Sequence, residues 1–96
     1  MKTIHKFPIS AARYFEVEMP DGAHLLDVQV QGGQDACIWA LVDTESPMRR
    51  CKFCVFTTGE NVTEAFAHDT LAYVGTFQVS GWAQKPLVFH LFRDDS

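Results

Sequence analysis

Cys51-Lys52-Phe53-Cys54 has the two-residue spacing of a zinc knuckle or a dithiol redox pair, and Cys37 with His5, His24, His68 and His90 would complete a tetrahedral ligand set. The surrounding residues argue against both chemistries. A metal pair needs a turn that brings two thiolates to one side, and a redox pair of the thioredoxin type needs a helix N-terminus. Residues 49–58 read instead as one continuous strand, in which positions 51 and 54 face opposite ways. With an odd number of cysteines and no export signal, all three are expected to be free structural thiols, with no metal and no cofactor.

Arg49, Arg50 and Lys52 form the one basic cluster in the sequence. Guanidinium forks grip phosphate, and the aromatic faces of Trp39, Tyr73, Trp82 or Phe53 would stack a base, so these residues supply what a nucleotide-like ligand needs. Trp82 is the best single aromatic candidate because it lies in a glycine-containing hairpin loop. A basic strand start also guards an edge against aggregation, and tryptophan in a small domain is commonly core. His90 lies within Leu87-Val88-Phe89-His90-Leu91-Phe92, on the face of Val88 and Phe92, where an imidazole must be hydrogen-bonded or meet a ligand. The candidate ligand-contact set is therefore Arg49, Arg50, Lys52, Tyr73, Trp82 and His90. No GxSxG, HExxH, P-loop or paired-carboxylate spacing is present, so no catalytic residue is named and the chain is expected not to be an enzyme.

Composition narrows the partners. A formal charge of −4 and 21% charged residues disfavour a nucleic-acid polymer, which needs a broad basic face. Residues 1–9 lack the apolar core of a secretory signal and no 18-residue apolar run occurs, so no membrane partner and a cytoplasmic location are expected, leaving the sequon Asn61-Val62-Thr63 unglycosylated.

Strands must position these groups. Alternation and punctuation predict seven of them: Lys2–Ile9, Tyr14–Met19, Leu26–Gln31, Ala36–Asp43, Arg49–Thr58, Leu71–Val79 and Pro86–Arg93. Pro8 places the first strand at an edge or ends it. Pro20-Asp21-Gly22 reads as a turn with proline at its second position, and Leu26, Val28 and Val30 read as one apolar face. Residues 60–70 read as a loop in which a helical turn is possible. The whole predicts a single all-β domain over residues 1–96, a small antiparallel sandwich or barrel with little or no helix. Ala36–Val42, Leu71–Val79 and Leu87–Phe92 are apolar on both faces, more than a lone small sheet can hide, which predicts a homo-oligomer.

The ordered strings MPDGAHLLDVQVQ, IWALVD, YVGTFQV and LVFHLF resemble a family of short bacteriophage and prophage proteins with MPxGA, VQxQ, WALVD, GTFQ and LVFH elements. The resemblance spans nearly the whole chain. It departs at Glu60–Thr70, where family members carry a shorter glycine and proline segment, and at Cys51 and Cys54, which lie outside the pattern. A phage context implies an accessory or counter-defence factor that acts by binding and fixes no catalytic residue. One reading is an oligomer that sequesters a nucleotide-derived immune signal in the host cytoplasm. The other is an interaction module that blocks a host or phage protein without a small ligand, and a structural zinc-bearing accessory protein is a third.

Overall fold

Seven strands form where alternation predicts them, with boundaries within about two residues of the expected ones: β1 (Lys2–Pro8), β2 (Tyr14–Pro20), β3 (His24–Gln31), β4 (Asp35–Asp43), β5 (Met48–Thr57), β6 (Leu71–Ser80) and β7 (Pro86–Asp94). The computed structural model describes residues 1–9, 12–31, 35–80 and 86–96. Among these residues there is no helix, and hence none long and apolar enough to cross a membrane. The strands pair antiparallel in two sheets, ordered β1-β4-β3 and β2-β5-β7-β6. The result is a sandwich-like slab of 44 × 35 × 17 Å.

Turn chemistry decides which strand joins which sheet. The Ala23 amide donates to the Pro20 carbonyl at 3.1 Å, and Gly22 adopts φ 79°, so Asp21 and Gly22 are the two central residues of a turn whose third position needs positive φ. Pro20 thus ends β2 and opens the turn, one position earlier than the sequence pattern suggests. The turn carries the chain from one sheet to the other, which is why β2 and β3 are consecutive but unpaired. Pro8 closes β1 at a sheet edge, where its missing amide costs no ladder bond.

The core lies between the inward faces. Val28, Ile38 and Leu91 are fully buried there with Met19 and Phe53. Phe15 stacks on Phe53 at 5.6 Å and Phe77 on Phe89 at 5.5 Å. In β3 the register shifts between Leu25 and Asp27, so Leu25, not Leu26, joins Val28 and Val30 in the core, and Leu26 is bulged out and exposed. The Asp27 carboxylate holds the bulge by accepting the Val28 amide at 2.8 Å. A matching irregularity in β6, between Tyr73 and Gly75, sets Gly75 against Val28 where the two sheets approach.

Residues 59–70 cover a second apolar cluster. Because β7 lies between β5 and β6, this connection crosses the outward face of β7. It is a loop with a single helical turn, in which the Phe66 amide donates to the Val62 carbonyl at 3.2 Å. The Phe66 ring meets Phe92 at 5.1 Å and Phe56 at 6.0 Å, and the Arg13 guanidinium caps Phe56 at 5.2 Å. Phe56 and Cys54 are therefore buried on the side away from the main core. The two-sided apolar character of β7 is thus partly answered within the chain.

Glu60 pins this crossover. Its carboxylate accepts the Thr57 amide at 2.8 Å and the Thr57 hydroxyl at 3.1 Å, and it pairs with Arg13. The Thr57 amide is the main cause that lowers the Glu60 pKa, aided by the Thr57 hydroxyl and Arg13. A depressed carboxylate stabilises the fold above its unfolded pKa of about 4.3, and that contribution is lost as pH falls through the lower folded value. Acid unfolding followed by circular dichroism is expected to show a shallower loss of stability below pH about 4 in Glu60→Gln than in the wild type. Asp43 and Asp94, also lowered, titrate in both proteins and cancel in the comparison.

Candidate functional site: a basic cleft at one end of the sandwich

In antiparallel pairing, the start of β5 meets the end of β7, with Lys52 opposite Asp94 and Phe53 opposite Arg93. The β2–β3 turn lies beside them, and together they enclose a cleft of about 290 Å³. Arg49, Arg50 and Lys52 all line it, joined by Arg93, with Asp21, Asp94 and Asp95 interspersed. The register places Arg49 and Arg93 on the inward side of the sheet and Arg50 and Lys52 on its outward side.

Each of these cations has a local partner. Arg49 lies 3.5 Å from the Asp21 carboxylate, Arg50 lies 3.2 Å from Glu16 and 3.9 Å from Glu18, and Arg93 holds Asp95 at 2.8 Å. Lys52 Nζ donates to the Ser96 hydroxyl at 3.0 Å. The Arg49 and Asp21 side chains are 72% and 54% exposed, a setting in which ion pairs contribute about 0–1 kcal/mol. A phosphate offering bidentate geometry can compete with partners of that strength.

Cys51 lies half-buried in the cleft, its Sγ 3.9 Å from the Arg49 carbonyl. Burial pushes its thiol pKa up, and Arg49 and Arg93 offset this only in part, so the sulfur stays protonated at neutral pH. Cys54 faces the opposite side of β5, buried with its pKa likewise raised by desolvation. The two thiols diverge as a continuous strand requires. Among the described residues, no cluster of three or more His, Cys, Asp or Glu side chains is arranged to hold a metal ion.

The other sequence candidates lie elsewhere. Tyr73 is 62% exposed on the outward face of the four-stranded sheet, with its ring 5.6 Å from Phe92. It also lines a depression of about 220 Å³ with His24, Val74, Leu25 and Arg93, the last two shared with the cleft. The Tyr73 hydroxyl meets the Thr76 hydroxyl at 2.6 Å, Thr76 meets His90 Nδ1 at 3.0 Å, and His90 Nε2 meets the Thr58 hydroxyl at 2.8 Å. Both imidazole nitrogens of His90 are thus served by protein hydroxyls, away from the cleft. Trp39 is half-buried on the outside of the three-stranded sheet, and Trp82 lies outside the described residues. Arg93 escaped the sequence reading although it continues the inward alternation of Phe89 and Leu91; its meeting with Arg49 depends on strand order.

No curated protein and no solved structure matches this chain. Residues 1–96 match the family model described as a domain of unknown function, DUF7352. The chain belongs to the DUF7352 family.

Proposed function

We propose that this chain is a non-enzymatic, homo-oligomeric binding protein of phage origin that captures a small anionic, nucleotide-like ligand and so blunts host defence signalling. The observation that carries this reading is the convergence of Arg49, Arg50, Lys52 and Arg93 on one cleft, each held by exposed partners that a phosphate can displace. Arg49 and Arg93 take the phosphate, and the adjoining depression beside Tyr73 takes the base. The phage context rests on the ordered sequence strings. At about 290 Å³ the cleft sits at the small end of ligand pockets, which suits a site completed by a second subunit.

The test is calorimetric titration with a cyclic dinucleotide and with a nucleoside diphosphate, followed by heat release and chromatography of the ligand. Expected are uptake, recovery of intact ligand and a Kd raised at least about tenfold by Arg93→Glu, which removes one charge-assisted contact. Chemically altered ligand would make the chain an enzyme, and no uptake of either probe would leave the interaction module as the function. That second reading is favoured by Ile4 and Leu41, which stand 58% and 39% exposed on the outside of the three-stranded sheet.

A further inference from the structure

We infer that the outward face of the three-stranded sheet is a self-association surface, on which a second copy of the chain packs about a two-fold axis running along β4. This rests on the oligomeric part of the reading above and is independent of the cleft.

Strand register supplies the argument. Lys6, Trp39 and Asp27 form one row across β1, β4 and β3, and Ile4, Leu41 and His24 form the next. Residues directly opposite in such pairs share a face, and the other face of β4, with Ile38, Ala40 and Val42, is the core. Ile4 and Leu41 therefore project outward, beside a half-buried Trp39.

The Lys6–Trp39–Asp27 row reads cation, aromatic, anion. A two-fold axis lying in the contact plane along β4 exchanges the β1 and β3 sides while keeping each row at its own level. Lys6 then lies over Asp27 of the partner subunit, Asp27 over Lys6 of the partner subunit, and Trp39 meets Trp39 of the partner subunit near the axis. An axis across the strands would instead set lysine over lysine and aspartate over aspartate. Charge selects the first arrangement and, because the patch complements itself, selects a second copy as its occupant.

Both charged groups keep capacity for these contacts. Lys6 Nζ donates to the Gln31 side chain at 2.8 Å, leaving two of its three protons, and lies 5.9 Å from the Trp39 ring centre. Asp27 accepts the Val28 amide at 2.8 Å and the Gln29 amide group at 2.7 Å, which leaves lone pairs on both oxygens. Three strands over seven residues present a face of roughly 14 by 24 Å, at the low end of specific interfaces, so micromolar rather than nanomolar association is expected.

Sedimentation of the full chain from about 5 to about 200 µM tests this, a range matched to an interface of that size. The wild type should shift with concentration from 10.8 kDa toward twice that mass. Lys6→Asp and Leu41→Glu should each weaken the dimer at least about tenfold, and Lys6→Asp combined with Asp27→Lys should regain association. Circular dichroism establishes that each variant is folded. Since Asp27 holds the β3 bulge, the Leu41 variant gives an answer if the double variant fails to fold. A wild type that stays at 10.8 kDa throughout overturns self-association altogether. A wild-type dimer indifferent to Lys6→Asp and Leu41→Glu overturns this face while leaving oligomerisation standing. A folded double swap that stays dissociated overturns the two-fold register.

Discussion

Phe56→Ala is expected to lower unfolding free energy by about 3 kcal/mol, the low end of the range for deleting a buried phenylalanine. Phe56 is only 4% exposed although it points away from the main core. Its ring is bracketed by Phe66 at 6.0 Å, Phe92 at 5.9 Å and the Arg13 guanidinium at 5.2 Å. Removing it takes away the floor on which residues 59–70 rest, so urea denaturation should show the lower midpoint and limited proteolysis should show faster cutting within that crossover. A loss under about 0.5 kcal/mol, the range of ordinary surface substitutions, would mean that the outer aromatic cluster contributes nothing to stability.

Gly75→Ala is expected to cost about 2 kcal/mol, within the range for overpacking a well-filled core. A methyl group there would sit 2.6 Å from Val28 Cγ1, and Val28 is fully buried. Valine has no long flexible end to swing aside, so the strands themselves must part. Val28→Ala removes the obstructing carbon, and the double variant should be less destabilised than the sum of the two single changes. Thermal or urea unfolding of all four proteins reads this coupling directly. Strict additivity would mean that β3 and β6 are not in contact at this point.

These two sites also mark where sequence reasoning stops. The strands were legible because each shows alternation or a bounded apolar run: Phe15, Val17 and Met19 against Glu16 and Glu18 specify β2 without help from any neighbour. The bulge was not, because Leu25 and Leu26 are equally apolar and only pairing with β4 decides which one turns inward. Gly75 carried no turn signal, since what demands glycine there is Val28, forty-seven positions earlier in the chain and on the other sheet. Residues 60–70 lack periodicity because Val62 and Phe66 answer to an existing surface, not to a repeat of their own. In the cleft, Arg49, Arg50 and Lys52 were legible as neighbours in sequence. Arg93 and the carboxylates that face them come from the antiparallel return of β7, and strand order is not written in local pattern.

That return has a consequence for how the polypeptide acquires its shape. β7 is inserted between β5 and β6, which makes it the structural keystone of the four-stranded sheet although it is the latest strand in chain order. During synthesis, β5 and β6 emerge with open flanks facing one another across a gap that residues 86–94 alone can fill. Until that segment leaves the ribosome, Phe53, Phe56 and Phe77 lack their native cover, so maturation is held back to a late, all-or-none event.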